Sequence, residues 1–429
     1  MKSLAVLCLS FVTTLNAATI AVIDSGVDPS HSQLRSNIWS NAKLKITGWN
    51  FAENNSKIFD PTLVSSFSPD VKKYTDIVSK SYVFSTSDAD REWAKAKQEE
   101  AGFSEEVNRF GTYVHGTHVA GIAMKGTSHK IMGILLLPTP AKAKSTGNKS
   151  LQVNEPQKVL ENLLTRVASI SAEKMKKVGD FVKTHGAHIA NGSYGTSVYQ
   201  AAGLAQEAFY IAHKRMPTND ELLKTALLFM DITIKKGQAL VDAAPETLFV
   251  FAAGNDNLDN DVIGASPANI KTNNTITVAA TYKDQFFAPF SNYGVKMVEV
   301  AAPGMIINSS IPGNDFLSVS GTSQAAPFVA NVAGRIKDAN PALKPVDIKK
   351  ILMGTVDKKD FLKTRVTSGG IVNAERAVFA AQLTKVVKID EAIERAVRSV
   401  RANKSMKSNG SLEVPFDVSP IQMPSEYQF

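Results

Sequence analysis

Short apolar runs punctuate the chain at 19–23, 187–190, 247–253, 275–280 and 298–301. Runs of that length, bounded by polar or small residues, predict strands buried on both faces. Longer stretches at 159–182 and 220–241 repeat their apolar positions at helical spacing. The alternation predicts an α/β fold of three layers, with a mostly parallel central sheet and helices on both faces. In such folds ligands meet the carboxyl ends of the strands. Three polar residues fall there: Asp24 ends the first run, Asn191 follows the second, and Asn255 comes just after the third.

Two stretches interrupt this pattern and are expected to be insertions. One, 60–109, is polar, with a charged helical segment near 88–100. The other, 139–158, is rich in Lys, Pro and Ser, as loops are. Beyond 380, Ile389, Ile393, Ala396, Val397 and Val400 share one helical face, and Arg395, Arg398 and Arg401 lie on the opposite, solvated one. Residues 405–429 are expected to be an extended tail. At the other end, Met1-Lys2, an apolar run over 4–15 and Asn16-Ala17-Ala18 have the form of a secretory signal, with the cut expected after Ala17. The expected division is a signal at 1–17, a main domain at 18–380 and a C-terminal helix with tail at 381–429.

Composition narrows the classes. A chain of 429 residues, 44% hydrophobic and 21% charged, matches a soluble globular enzyme and excludes bulk disorder. The net charge of +8 comes without a basic stripe interleaved with aromatics, so no nucleic-acid partner is expected. Cys8 is the sole cysteine and lies inside the signal segment, which leaves no disulfide in the mature chain. No later run reaches 18 apolar residues, so no stable membrane anchor is expected. The expected product is an exported monomer, periplasmic or extracellular.

Three segments carry the chemistry: Ile20-Ala21-Val22-Ile23-Asp24-Ser25-Gly26, His115-Gly116-Thr117-His118 and Gly321-Thr322-Ser323-Gln324-Ala325. Each alone reads as a strand-end turn, a helix start or a cap. Together they offer the three roles that amide hydrolysis by a hydroxyl requires: an attacking oxygen, a base for its proton, and a carboxylate that orients the base. They resemble the three signature motifs of the subtilisin-like serine proteases. That resemblance implies Asp24, His115 and Ser323 as catalytic residues, with a packing role for His118. Ala252-Ala253-Gly254-Asn255 is similar to the family's oxyanion-hole segment and implies Asn255 as the side-chain donor. Ser193, Tyr194 and Gly195, together with Ala252, Ala253 and Gly254, are implied to line the substrate. Pro289–Gly294 and Val300–Gly304 resemble further family stretches.

The sequence also departs from that pattern. His115 follows Asp24 by 115 − 24 = 91 positions, stretched by the first insertion. Phe328 and Asn331 stand where a histidine and a glycine are usual, and Gln324 replaces the common methionine. No cofactor is expected and no metal ligand is assigned. Asp256, Asp259 and Asp261, with Asn257 and Asn260, are a candidate for structural calcium, but their spacing does not fit an EF-hand loop and a solvated polar loop is the preferred reading. His185, His188 and His213 are read as structural. The expected function is a secreted serine endopeptidase acting on polypeptides, with preference for an apolar or aromatic residue before the cut. The alternative is a catalytically silent binding or scaffold protein of the same fold.

Overall fold

The computed structural model describes residues 17–83, 85–139 and 155–402. The sheet is assembled from strands scattered through the whole chain. β1 (Thr19–Asp24) and β2 (Gly48–Asn50) come first, followed by helices α1 (Pro69–Ser81), α2 (Asp88–Gln98) and α3 (Phe103–Met124). β3 (Lys130–Leu135), α4 (Pro156–Thr184) and β4 (Ile189–Gly192) follow, then α5 (Val198–His213), α6 (Asn219–Gly237) and α7 (Ala239–Ala243). The next strands are β5 (Leu248–Ala252), β6 (Thr275–Tyr282), β7 (Phe286–Phe287) and β8 (Val300–Pro303). A hairpin of β9 (Ile307–Ile311) and β10 (Asp315–Val319) leads into α8 (Thr322–Ala339) and α9 (Pro345–Gly354). The short strands β11 (Asp357–Lys358) and β12 (Gly370–Ile371) precede α10 (Ala374–Leu383) and α11 (Ile389–Ser399).

The main sheet runs β11-β12-β8-β6-β5-β4-β1-β3-β2, with β7 beside β6. Every pairing is parallel except the two marginal ones, β11 with β12 and β6 with β7. Alternation along β1 explains the layers. Ile20 and Val22 face one core with residues of α3 and α8, while Ala21 and Ile23 face the other with residues of α4 and α7. A third cluster joins Leu160 and Leu164 of α4 to Phe209 of α5 and Phe229 of α6. The predicted three-layer α/β fold with a mostly parallel sheet is the one observed.

The boundaries of the expected elements shift by a residue or a few. Asn191 lies within β4, paired with Val22 and Val250, rather than beyond its end. The stretch 60–109, expected as a polar insertion, also contributes to the core. α1 buries Val71, Tyr74, Ile77 and Val78 in the main core, and Phe103, Val107 and Phe110 of α3 join them. The second expected insertion falls largely outside the described residues, as do the signal segment with Cys8 and the expected tail. On α11, Ala392 and Ala396 are the buried residues, and Val397, expected on the apolar face, is solvent-exposed. Arg395 and Arg398 pair with Glu391 and Glu394 one turn back, on the solvated face.

Candidate active site

Asp24 sits at the carboxyl end of β1 and is fully buried. Its Oδ1 accepts the Ser25 backbone N–H at 2.7 Å and lies 2.7 Å from His115 Nδ1. That contact places the imidazole proton on Nδ1 facing the carboxylate and leaves Nε2 as the basic nitrogen. Two glycines let the strand end and the helix approach. Gly26 has φ of +106°, and a Cβ on Gly116 would stand 2.1 Å from the Gly26 carbonyl oxygen. The Gly116 N–H donates to Ser25 Oγ at 3.1 Å, and Thr117 Oγ1 accepts the Asp28 N–H at 2.9 Å. The Asp and His segments are thus stitched along their length rather than at one contact.

His115 lies in the interior of α3, not at a helix start. The helix begins at Phe103, so the last part of the expected insertion is its first turns. His118, one turn further on, faces away from Asp24. Its Nε2 is 3.0 Å from the carbonyls of both Ile307 and Leu317, and its own carbonyl accepts Ser309 Oγ at 2.7 Å. Burial pushes its pKa down to about 4, so it stays neutral and pins α3 to the β9–β10 hairpin.

That hairpin delivers Ser323 to the second position of α8. No side chain caps the helix at Gly321. The Thr322 N–H is taken by the Asn255 side chain and the Gln324 N–H by the Gly321 carbonyl, and the Ser323 N–H lies between them at the positive end of the helix. The Ser323 hydroxyl donates to the Ser193 carbonyl at 3.2 Å, and Ser193 Oγ donates back to the Ser323 carbonyl at 3.0 Å. Among the described residues Ser323 Oγ makes no hydrogen bond to His115.

Asn255 lies just past β5. Its Oδ1 accepts both the backbone N–H and the hydroxyl of Thr322, each at 2.9 Å. A backbone N–H can only donate, so the amide cannot be turned over, and Nδ2 is the group left for the site. Gly254, with φ of +116°, precedes it, and a Cβ there would stand 2.4 Å from Asn292 Nδ2. Asn292 Oδ1 accepts the N–H groups of Asp256 and Leu258 at 2.9 and 3.0 Å, while its Nδ2 donates to Asn260 Oδ1 at 3.0 Å. Asn260 Nδ2 closes the ring on the Ala253 carbonyl at 2.9 Å. This buried asparagine pair fixes the loop that carries Asn255. Asn292 lies in the family-like stretch Pro289–Gly294 and Asn260 in the calcium candidate, but the sequence does not show that the two meet.

The residues expected to line the substrate are placed as follows. Ala252 ends β5, and Ala253 and Gly254 continue it, all three buried. Ser193 is the stretch's link to Ser323 and also accepts Asn191 Nδ2 at 2.9 Å. The Tyr194 ring is buried with its hydroxyl 3.6 Å from Met175 Sδ, so its side chain belongs to the core and only its backbone borders the site. Gly195 is buried beside it. Asp256 is hydrogen-bonded to Ser197, and burial raises its pKa above the ordinary carboxylate value. The carboxylates of the calcium candidate take main-chain donors. Asp259 Oδ1 accepts the Asp261 N–H, and Asp261 accepts the N–H groups of Lys296 and Met297. Among the described residues no three His, Cys, Asp or Glu side chains gather as a metal site.

The model of the subtilase family matches residues 16–375. The chain belongs to that family. Among similar subtilases, alkaline elastase YaB of Bacillus sp. (strain YaB) is 37% identical over 134 residues, covering 31% of this chain and 33% of its own length. Subtilisin Savinase of Lederbergia lenta is 33% identical over 140 residues, 33% of this chain and 49% of its own. Subtilisin-like protease 2 of Plasmodium falciparum (isolate 3D7) is 35% identical over 141 residues, 32% of this chain and 10% of its own. The matched stretch therefore spans between a tenth and a half of these relatives. Solved structures similar to the chain include a cold-adapted subtilisin-like serine proteinase, with TM-score 0.47, 19% identity, and coverage of 83% of this chain and 88% of its own. A lanthipeptide protease has TM-score 0.49 and 17% identity, over 84% and 86% of the two chains.

Proposed function

We propose that this subtilase is a serine endopeptidase in which Ser323 is the nucleophile, His115 the general base and Asp24 its orienting carboxylate. The observation that carries the reading is the 2.7 Å contact between His115 Nδ1 and buried Asp24, which leaves the opposite ring nitrogen basic. Ser323 stands at the second position of a helix, whose positive end favours an anion. The Ser323 oxygen attacks the substrate carbonyl and its proton passes to His115 Nε2. The oxyanion is held by Asn255 Nδ2 and the Ser323 N–H. The C–N bond then breaks as His115 returns the proton to the leaving amine. Water, activated by the same imidazole, hydrolyses the Ser323 ester. For attack the serine hydroxyl leaves the Ser193 carbonyl for His115 Nε2.

An extended peptide fits between the backbone edges at Ser193–Gly195 and Ala252–Gly254, as in strand addition. Both segments are small or apolar apart from Ser193 and Tyr194, which favours an apolar residue before the cut. Asp256, the carboxylate that would oppose that preference, is hydrogen-bonded to Ser197 and has its pKa raised by burial. We extend the proposal to export. The signal-like start supports it, and among the described residues no helix is long and apolar enough to cross a membrane.

The silent-scaffold reading has one contact in its favour, the Ser323 hydroxyl resting on Ser193 rather than on His115. A phosphonofluoridate probe separates the two, since an activated serine is labelled and a scaffold's serine is not. Ser323→Ala and His115→Ala are each expected to abolish casein hydrolysis above background. Ser323→Ala protein that cleaves casein at the wild-type rate would overturn the proposal.

A further inference from the structure

The start of β1 holds a carboxylate whose charge nothing in the proposed chemistry uses. Asp338 lies in the last turn of α8, where the partial negative charge of the helix end disfavours an anion. Its Oδ2 is 3.0 Å from Nε2 of His129, a completely buried imidazole whose Nδ1 has no partner. Its Oδ1 accepts the backbone nitrogen of Ala18 at 2.7 Å, and Ala18 is itself buried. The neighbouring ammonium groups are committed elsewhere. Lys337 Nζ donates to the Leu343 carbonyl and Lys130 Nζ to the Ser36 carbonyl, both at 2.8 Å. Among the described residues, His129 is the only ion-pair partner of Asp338.

A carboxylate at the wrong end of a helix, with one imidazole and one main-chain nitrogen as partners, is short of a cation. We infer that the chain is cut between Ala17 and Ala18 and that the freed ammonium of Ala18 pairs with Asp338, locking the first strand to the end of the helix that starts at Ser323. The inference rests on the export reading. Water adds across the Ala17–Ala18 peptide bond under an export peptidase, giving Ala17 a carboxylate and Ala18 an amine that is protonated at neutral pH. The new terminus needs no rearrangement, because its nitrogen already lies on Asp338 and its carbonyl accepts the Lys130 N–H at 2.9 Å. A cut one residue later would do neither. It would remove that ladder bond and put the ammonium on Thr19, whose nitrogen faces His188 Nδ1 at 3.0 Å.

The test starts from the full chain made in a secreting host and, separately, without export so that residues 1–17 stay attached. Mass measurement of the secreted protein is expected to give Ala18 as its first residue. Asp338→Asn is expected to lower the Tm of the cut form by a few degrees, roughly, beyond its effect on the uncut form. In the folded wild type the Ala18 amine is expected to acylate far more slowly than in urea, a readout that needs no variant. A first residue other than Ala18, an equal Tm loss in both forms, or an amine as reactive folded as unfolded would each overturn the inference. None of these readouts depends on hydrolysis. A protein that is cut and locked but inactive sinks the enzyme reading alone, and one that is active with Met1 retained sinks the export reading and this inference together.

Discussion

Asn255 owes its orientation to Thr322, whose N–H admits only an acceptor, so its Nδ2 is committed to the site before any substrate arrives. A donor placed in advance acts on charge that exists only near the transition state. Asn255→Ala is therefore expected to lower kcat by about a hundredfold to a thousandfold, the loss usual for one such donor, with KM little changed. Steady-state kinetics on a peptide substrate would check it, and an unchanged kcat with raised KM would place Asn255 in binding instead. His118 makes a different prediction at the same scale. Its pKa is held at about 4 in the folded protein by burial, against about 6.5 when unfolded. Over that window the unfolded chain binds the extra proton. The stability from neutral His118 is complete above about pH 6.5 and lost as pH falls toward 4, by up to about 1.4 kcal/mol per unit. His118→Gln keeps an N–H for the Ile307 and Leu317 carbonyls and removes the titration. The Tm of this variant is expected to fall less steeply than wild type between pH 6.5 and 4, and parallel curves would refute the assignment.

At the scale of elements, the C-terminal helix tests what periodicity can and cannot tell. The spacing of Ile389, Ile393 and Ala396 disclosed an amphipathic α11, but periodicity alone does not fix which flank of the stripe is covered. Small Ala392 lies deepest and Val397 stays in solvent because α11 approaches α9 closely, with Ile393 against Gly354. Arg376 then ties the helix down from α10. Its Nε donates to the Val400 carbonyl at 2.8 Å while its guanidinium pairs with buried Asp357 at 2.8 Å. A chain ending at Leu383 loses that carbonyl and uncovers Ala380, Ala381 and the Gly354 surface, so its Tm is expected to drop by several degrees, roughly, with activity retained at low temperature. An unchanged thermal midpoint would make α11 dispensable. The same limit hid other elements. The run Ile131-Met132-Gly133-Ile134-Leu135 is as strand-like as its neighbours and is set off by the polar turn at 125–130, but its place between β1 and β2 had no local signal. The motif residues, in contrast, were legible because their segments are distinctive together, although His115 lies inside a helix rather than at its start, and the glycines at 26, 116 and 254 mark close approaches. Asn292 and Asn260 were not, since nothing in a sequence with many asparagines says which two meet.

At the scale of the whole molecule, the question is whether 60–109 is an accessory that could be shed or a part of the body. Its polar composition reads as an insertion, and the apolar positions Val71, Tyr74, Ile77 and Val78 repeat at helical spacing and all enter the main core. The C-terminal end of α1 reaches the nucleophile segment. Ser79 Oγ lies 2.8 Å from Ser320 Oγ, three residues before Ser323, and Tyr82 packs edge-on to Phe290 at 5.2 Å. Ser320 Oγ in turn accepts the Ile306 N–H at 2.9 Å, so the insertion braces the hairpin that presents the serine. Five buried side chains, Tyr82 included, contribute roughly 8–15 kcal/mol at about 1.5–3 kcal/mol each, comparable to the about 5–15 kcal/mol that holds a domain folded. The gap left by removing α1 and α2 is bridged at one point, where the Ser68 N–H donates to the Glu106 side chain at 2.7 Å, one helical turn beyond Gly102. Joining Ser68 to Gly102 with a short Gly-Ser linker is therefore a fair test of the contents rather than of the closure. The deleted protein is expected to lose cooperative unfolding and activity together, and Ile77→Ala in the intact chain is expected to cost about 2–5 kcal/mol. A deleted protein that melts cooperatively near the wild-type midpoint and still hydrolyses casein would show instead that the nucleophile hairpin stands without its brace and that the insertion is a removable cover.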